Sequence, residues 1–233
     1  MEQKIIQIDE KTWRIEDAGV RFFVLEGENY AALIDTGMRS PDAKEIAESL
    51  TSKQLLLMNT HSDIDHISGN NAFNMVCIAK DEEALYKERV FKEQQIIELV
   101  EGDYISLGGR TLTVVNLAGH TPGSIGFIDS RTHALISGDP IQKGGQIFMF
   151  GPARSIPLCI ESLKKLQEKT GWFDEIWPSH AQFPIGKEMI PELITDLENI
   201  VNGDYAGKEI EMHGHKVFAA EGTSNTILID PKN

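Results

Sequence analysis

The sequence predicts an α/β fold in which β-sheets pack face to face and helices cover their outer sides. Three observations point there. Strand-type runs come in two groups, and each group is accompanied by amphipathic helical segments. No low-complexity linker or charge block interrupts the chain, so residues 1–233 are expected to form a single domain. The residues best suited to holding metal ions follow directly on strand-type runs, where loops at one edge of a rigid sheet collect binding groups.

The first group opens with strand candidates at Lys4–Ile8, Thr12–Glu16, Arg21–Leu25 and Ala31–Ile34, the last two separated by the turn Gly27-Glu28-Asn29. A helix is expected over Pro41–Leu50, with Pro41 near its first turn and Ala43, Ile46, Ala47 and Leu50 on one face. Gln54–Asn59 is a continuous apolar run suited to a buried strand. Composition and spacing make Asp81–Val100 helical. The second group has strands near Tyr104–Leu107, Thr111–Asn116, Ile125–Ile128 and Ala134–Ser137, with Gly108-Gly109 turning the first hairpin. A helix near Pro157–Lys169, a short strand at Glu175–Trp177 and a helix near Pro191–Val201 follow. Strand-like segments return at Glu209–Met212, Lys216–Ala219 and Thr226–Ile229.

Composition limits the function. The chain is 41% hydrophobic and 25% charged, as soluble globular proteins are. Its formal net charge of −14 argues against nucleic acid and anionic membrane as partners, because both reward Lys and Arg. A small-molecule substrate fits, even an anionic one, since bound metal ions reverse the local field. Two cysteines, Cys77 and Cys159, make no disulfide framework and are expected to be buried and free. The N-terminus has no signal-peptide pattern and no apolar stretch reaches bilayer length, so the cytoplasm is the expected compartment.

The chemistry lies in four segments. Thr60-His61-Ser62-Asp63-Ile64-Asp65-His66 brings two imidazoles and two carboxylates into six positions after the Gln54–Asn59 run. His120 lies in Gly119-His120-Thr121-Pro122-Gly123, Asp139 in Ser137-Gly138-Asp139-Pro140, and His180 in Pro178-Ser179-His180, each just after a strand candidate. Imidazole nitrogen and carboxylate oxygen are the ligands that zinc and similar ions take at about 2.0–2.2 Å. One such residue after a strand is ordinarily a turn or cap residue. The joint spacing of all of them is what calls for a metal centre. The other histidines, His133, His213 and His215, sit in expected turns.

These segments, with Leu33-Ile34-Asp35-Thr36-Gly37 upstream, resemble the metallo-β-lactamase superfamily from about residue 20 to the C-terminus. The resemblance implies a four-layer αββα sandwich carrying two divalent metal ions, zinc by family habit. His61, Asp63 and His120 would hold the first ion, and Asp65, His66 and His180 the second. Asp139 would bridge them, and Asp35 would support the site without ligating. The branch within the family, glyoxalase II-like or lactonase-like, is left open. The implied activity is hydrolysis of a small ester, thioester or lactone by a hydroxide between the metals. Asp65 would orient that hydroxide and carry a proton to the leaving group.

One position departs from the family's His-x-His-x-Asp-His pattern, because Asp63 replaces the second histidine. Three carboxylates and a hydroxide would formally neutralise two divalent ions, weakening the Lewis acid and favouring iron or manganese. Two other functions follow from the same residue. One is a di-iron redox protein related to the flavodiiron proteins, which also place a carboxylate there. The other is a non-catalytic metal-binding or sensing protein. Finally, Pro140–Ser155, with Phe148 and Phe150, is expected to be either an apolar flap over the metals or a packed connection. Arg154 within it would meet an anionic substrate group or form an ion pair.

Overall fold

The protein was analysed as a computed structural model that describes residues 3–212 and 214–231. Seven strands form the first sheet in chain order: β1 (Lys4–Asp9), β2 (Thr12–Asp17), β3 (Val20–Glu26), β4 (Tyr30–Ile34), β5 (Gln54–Met58), β6 (Met75–Ala79) and β7 (Gln95–Leu99). β1 to β4 pair antiparallel, and β4 to β7 pair parallel through crossovers carrying α1 (Ala43–Leu50) and α2 (Glu83–Arg89). The second sheet contains β8 (Tyr104–Ser106), β9 (Thr111–Asn116), β10 (Ile125–Asp129), β11 (Ala134–Gly138) and β13 (Glu175–Pro178), in the order β13-β11-β10-β9-β8.

Period-two alternation along the strands builds two cores at once. On β3, Phe23 and Leu25 face Val114, Phe127, Ile136 and Trp177 of the second sheet, while Phe22 and Val24 face Ala43 and Ala47 of α1. The outer side of the second sheet packs Val115, Ile128, Leu135 and Ile176 against α3 (Ile156–Gln167) and α4 (Met189–Asn202). The layers therefore run helix, sheet, sheet, helix. Local sequence sets the helix ends. Ser155 Oγ accepts from Leu158 N–H at the start of α3, and left-handed Gly203 (φ 82°) closes α4.

Two regions differ from the sequence expectation. Asp81–Val100 is not one helix: α2 ends at Arg89, and β7 joins the sheet edge in register with β6. The β-branched pair Ile96-Ile97 suits a strand, and open pairing along β6 outweighs the helical composition of the surrounding residues. Gln94 fixes the break by donating from Nε2 to the carbonyls of Asn70 (2.8 Å) and Phe73 (2.9 Å). The C-terminal segments, β14 (Gly207–Met212), β15 (His215–Glu221) and β16 (Thr226–Ile229), form a third sheet with β12 (Gln146–Met149), which pairs parallel with β16. Pro140–Ser155 is thus a packed connection built around a strand, with Ile147 and Met149 buried against the α3–α4 layer. His133 sits in a turn, His215 begins β15, and His213 lies outside the described residues.

A buried ion pair ties the two central sheets together. Arg110, just before β9, donates to both oxygens of Asp129 (2.8 and 2.6 Å), to the Lys11 and Glu26 carbonyls and to Thr12 Oγ1. Both cysteines are free and buried, and burial pushes their thiols up to about 11 (Cys77) and about 12 (Cys159). Native protein at pH 8 should therefore leave an aromatic disulfide reagent unreacted for many minutes and show two thiols only in guanidinium; fast stoichiometric reaction of the native form would contradict the burial. No helix among the described residues is long and apolar enough to cross a membrane.

Candidate metal centre

The parallel strands β4 and β5 end side by side, and the ligand-bearing loop leaves from β5. Asp35, at the end of β4, organises that loop. Its Oδ1 accepts from Thr60 N–H (2.8 Å) and Asn59 Nδ2 (3.1 Å), and its Oδ2 accepts from Thr60 Oγ1 (2.7 Å). The same Oδ2 lies 2.8 Å from His66 Nδ1, which leaves His66 Nε2 facing the site. Asp35 holds a left-handed backbone (φ 64°), a conformation that Asp tolerates better than most residues.

The other loops are fixed as tightly. Glu82 is fully buried, and its sequence context of charged residues gave no sign of a role. Its Oε1 accepts from Ser62 N–H (2.8 Å) and Ser62 Oγ (2.6 Å), and its Oε2 accepts from Gly123 N–H (3.0 Å). One carboxylate thereby joins the His61–His66 loop to the His120 loop. Gly119 is also dictated by packing, since a Cβ there would lie 2.3 Å from Cys159 N. His180 is held from the first sheet. Its Nδ1–H donates to the Gly19 carbonyl (2.8 Å), while Arg21 donates to the Pro178 and Ala181 carbonyls on either side.

All seven sequence-predicted residues converge at one end of the sandwich. Among the described residues, two sets of donor atoms lie within 4.8 Å of one another: Asp65, His66, Asp139 and His180, and His61, His120 and Asp139. Asp139 faces both sets with different oxygens. Its Oδ1 lies 3.1 Å from His66 Nε2 and 3.3 Å from His180 Nε2, whereas its Oδ2 lies 3.9 Å from His61 Nε2 and 3.7 Å from His120 Nε2. Asp65 Oδ2 is 3.2 Å from His180 Nε2 and 3.8 Å from His66 Nε2. A tetrahedral shell with bonds of about 2.1 Å has ligand–ligand edges of about 3.4 Å, so the four-residue set matches it closely and the three-residue set is looser.

Asp63 belongs to neither set. Its Oδ2 is 3.2 Å from His120 Nε2 and 3.6 Å from His61 Nε2, but Arg154 Nη2 donates to that oxygen at 2.6 Å and Arg89 Nη1 donates to Oδ1 at 2.8 Å. Arg154 is therefore an ion-pair partner, with only 12% of its side chain exposed. Arg89 was not anticipated as a site residue because it sits in a stretch expected to be a long surface helix.

The electrostatics are those of interleaved acids and imidazoles. Burial opposes ionisation of Asp139, but the His180 and His66 imidazoles hold it well below the usual carboxylate range. Burial alone would lower His180, yet Asp139 and Asp65 push it up to about 10. Burial likewise opposes a charged Asp63, and hydrogen bonds from His120 and His61 outweigh that. A cleft of about 640 Å³ opens over these groups, lined by Met38, Ile64 and Phe148 on its apolar side and by Arg89, Gln142 and Arg154 on its polar side.

Comparison with known proteins agrees with this geometry. The family described as the metallo-beta-lactamase superfamily matches residues 17–173. The chain is 28% identical over 159 residues to a hydroxyacylglutathione hydrolase of Synechococcus sp., covering 64% of this chain and 58% of that protein. It is 28% identical over 211 residues to the human acyl-coenzyme A thioesterase MBLAC2, covering 72% and 75% respectively. The chain thus spans about three fifths of the hydroxyacylglutathione hydrolase. Among solved structures, a metallo-beta-lactamase from Pontibacter korlensis superposes with a TM-score of 0.72 at 16% identity over 85% of this chain and 100% of that one, a likeness of fold. By the family match over residues 17–173 and the shared fold, the chain belongs to the metallo-beta-lactamase superfamily.

Proposed function

We propose that this single-domain protein is a metal-dependent thioester hydrolase with two divalent ions, zinc by the chemistry of its ligands. The observation that carries the proposal is Asp139, whose two oxygens face two separate ligand sets. A bridging carboxylate of this kind suits two ions held side by side. The residues also fit metal in a second respect. His61 Nε2, His66 Nε2 and Asp139 Oδ1 are buried without a hydrogen-bond partner, an arrangement that costs free energy unless a cation takes those lone pairs. Asp65, His66, His180 and Asp139 would hold one ion, and His61, His120 and Asp139 the other.

Bound divalent ions supply Lewis-acid polarisation of the scissile carbonyl and lower the pKa of water enough to give a nucleophile near neutral pH. The chain's own residues do the rest. Asp35 and the Gly19 carbonyl fix the tautomers of His66 and His180 through their Nδ1 atoms. Asp65, at the cleft floor, takes the proton of the attacking water and delivers it to the leaving sulfur. Met38, Ile64 and Phe148 receive the acyl part and exclude water from it.

The thioester class is supported by the relatives, which are named for hydroxyacylglutathione and acyl-coenzyme A. The engagement of Asp63 by two arginines neutralises its charge and so weakens the three-carboxylate argument for iron or manganese. It weakens the di-iron redox reading in the same way. The test is hydrolysis of a hydroxyacylglutathione and of an acyl-coenzyme A, read as thiol release, by protein reconstituted with zinc, iron or manganese. Zinc-dependent turnover of either substrate supports the proposal, and no turnover of both with any of the three metals refutes it.

A further inference from the structure

The grip on Asp63 has a consequence for how metal enters the site. Both carboxylate oxygens are engaged, each by a different arginine. Arg89, the last residue of α2, donates from Nη1 to Oδ1 and also to the Ser62 carbonyl (2.9 Å). Arg154, just before α3, donates from Nη2 to Oδ2 and from Nη1 to the His120 carbonyl. Its loop is pinned in turn, because Ser155 N–H donates to the Gly119 carbonyl (2.8 Å) and Gly119 packs against Cys159. Neither guanidinium is free to swing away without breaking backbone contacts.

Two donors on one ion with bonds of about 2.1 Å lie at most about 4.2 Å apart. Asp63 Oδ2 meets that limit toward His120 Nε2 (3.2 Å) and His61 Nε2 (3.6 Å), but it is not part of the set formed by His61, His120 and Asp139. A ligating Asp63 would share its oxygens between the ion and two guanidiniums, which already neutralise its charge and repel an arriving cation. The other set has four ligands, no arginine contact with any of their carboxylates among the described residues, and the tighter spacing.

We propose that Arg89 and Arg154, by taking up the charge of Asp63, make the His61–His120–Asp139 position the weaker of two unequal metal sites, the one that fills second. This rests on the reading above that the cluster holds two divalent ions. The two arginines are positioning residues: they act on the metal through Asp63.

The test is titration of metal-free full-length protein with Co²⁺, followed by visible absorption, and with Zn²⁺ against a chromophoric chelator. Wild type should show two steps at least tenfold apart in affinity. Arg154→Met should tighten the second step by tenfold or more and leave the first unchanged, while Arg154→Lys, which keeps the charge without the forked grip, should fall between. Arg89→Met should act in the same direction and serves if Arg154→Met proves unfolded by circular dichroism. Two equal steps in wild type, or a second step weakened in the folded arginine variants, would overturn the inference; the latter would mean that the arginines present Asp63 as a ligand. Wild type that takes up no metal would overturn the metal-centre reading itself, a result distinct from either.

Discussion

Replacing Asp65 with asparagine should lower kcat for thioester hydrolysis by about 10²–10⁴-fold, the usual worth of a positioned proton-transfer group. Asn keeps the shape and one neutral oxygen, but it cannot accept the proton of the attacking water. The fold should survive, because the Asp65 side chain lies at the partly open cleft floor and is part of no buried core. Thermal melting and metal content measured beside the kinetics separate the two roles proposed for Asp65, metal ligand and proton carrier. A variant with both metals bound, an unchanged melt and unchanged kcat would refute the proton-transfer role.

The largest effect on stability is expected away from the site, at Arg110. Arg110→Met strands Asp129 in a position with no exposed side-chain surface, and removing one partner of a buried pair costs about 3–5 kcal/mol. For a chain of this size that lowers the melting temperature by roughly 6–20 °C. The pH dependence gives the sign. Burial opposes ionisation of Asp129, but Arg110 and Thr132 hold its pKa below the ordinary value of 3.8. Its contribution to stability is therefore present above about pH 4 and lost as pH falls through the depressed value. In Arg110→Met the unpaired carboxyl protonates more readily, so the stability gap to wild type should narrow as pH drops below about 4. Denaturant melts at pH 7 and pH 3.5 check this, and a gap that stays constant or widens would contradict the ion-pair account.

Much of this was legible in the sequence, for definable reasons. Strand alternation and the apolar Gln54–Met58 run gave the sheets, because period-two burial is a local property. The loops bearing His61, His120, Asp139 and His180 could be found because each ligand-type residue follows a strand and the strands end together. The misread stretch, Gln95–Leu99, holds the β-branched pair Ile96-Ile97 inside a longer run of helix-forming composition, and its pairing with β6 decides the strand. Glu82 and Arg89 escaped for a different reason, and Arg154, expected either to meet an anionic substrate group or to form an ion pair, could not be given its partner. Their partners, Gly123, Asp63 and the His120 carbonyl, are distant in sequence, and no local pattern marks a charged residue that is paired across the fold. Asp63 shows the cost of that blindness. Read alone, it adds a third carboxylate to the metal shell. The fold sets Arg89 and Arg154 on its two oxygens, contacts that no local pattern announces.

The central claim is that one carboxylate, Asp139, serves two metal sites. Equilibrium dialysis of wild type and Asp139→Ala against a saturating excess of Zn²⁺, with metal counted by plasma mass spectrometry, tests it most directly. The account predicts two zinc ions per wild-type chain and loss of more than one in the variant, because a residue shared by both sets is gone from each. Wild type with one ion or none, or a folded Asp139→Ala that keeps at least one of two ions at undiminished affinity, would contradict it.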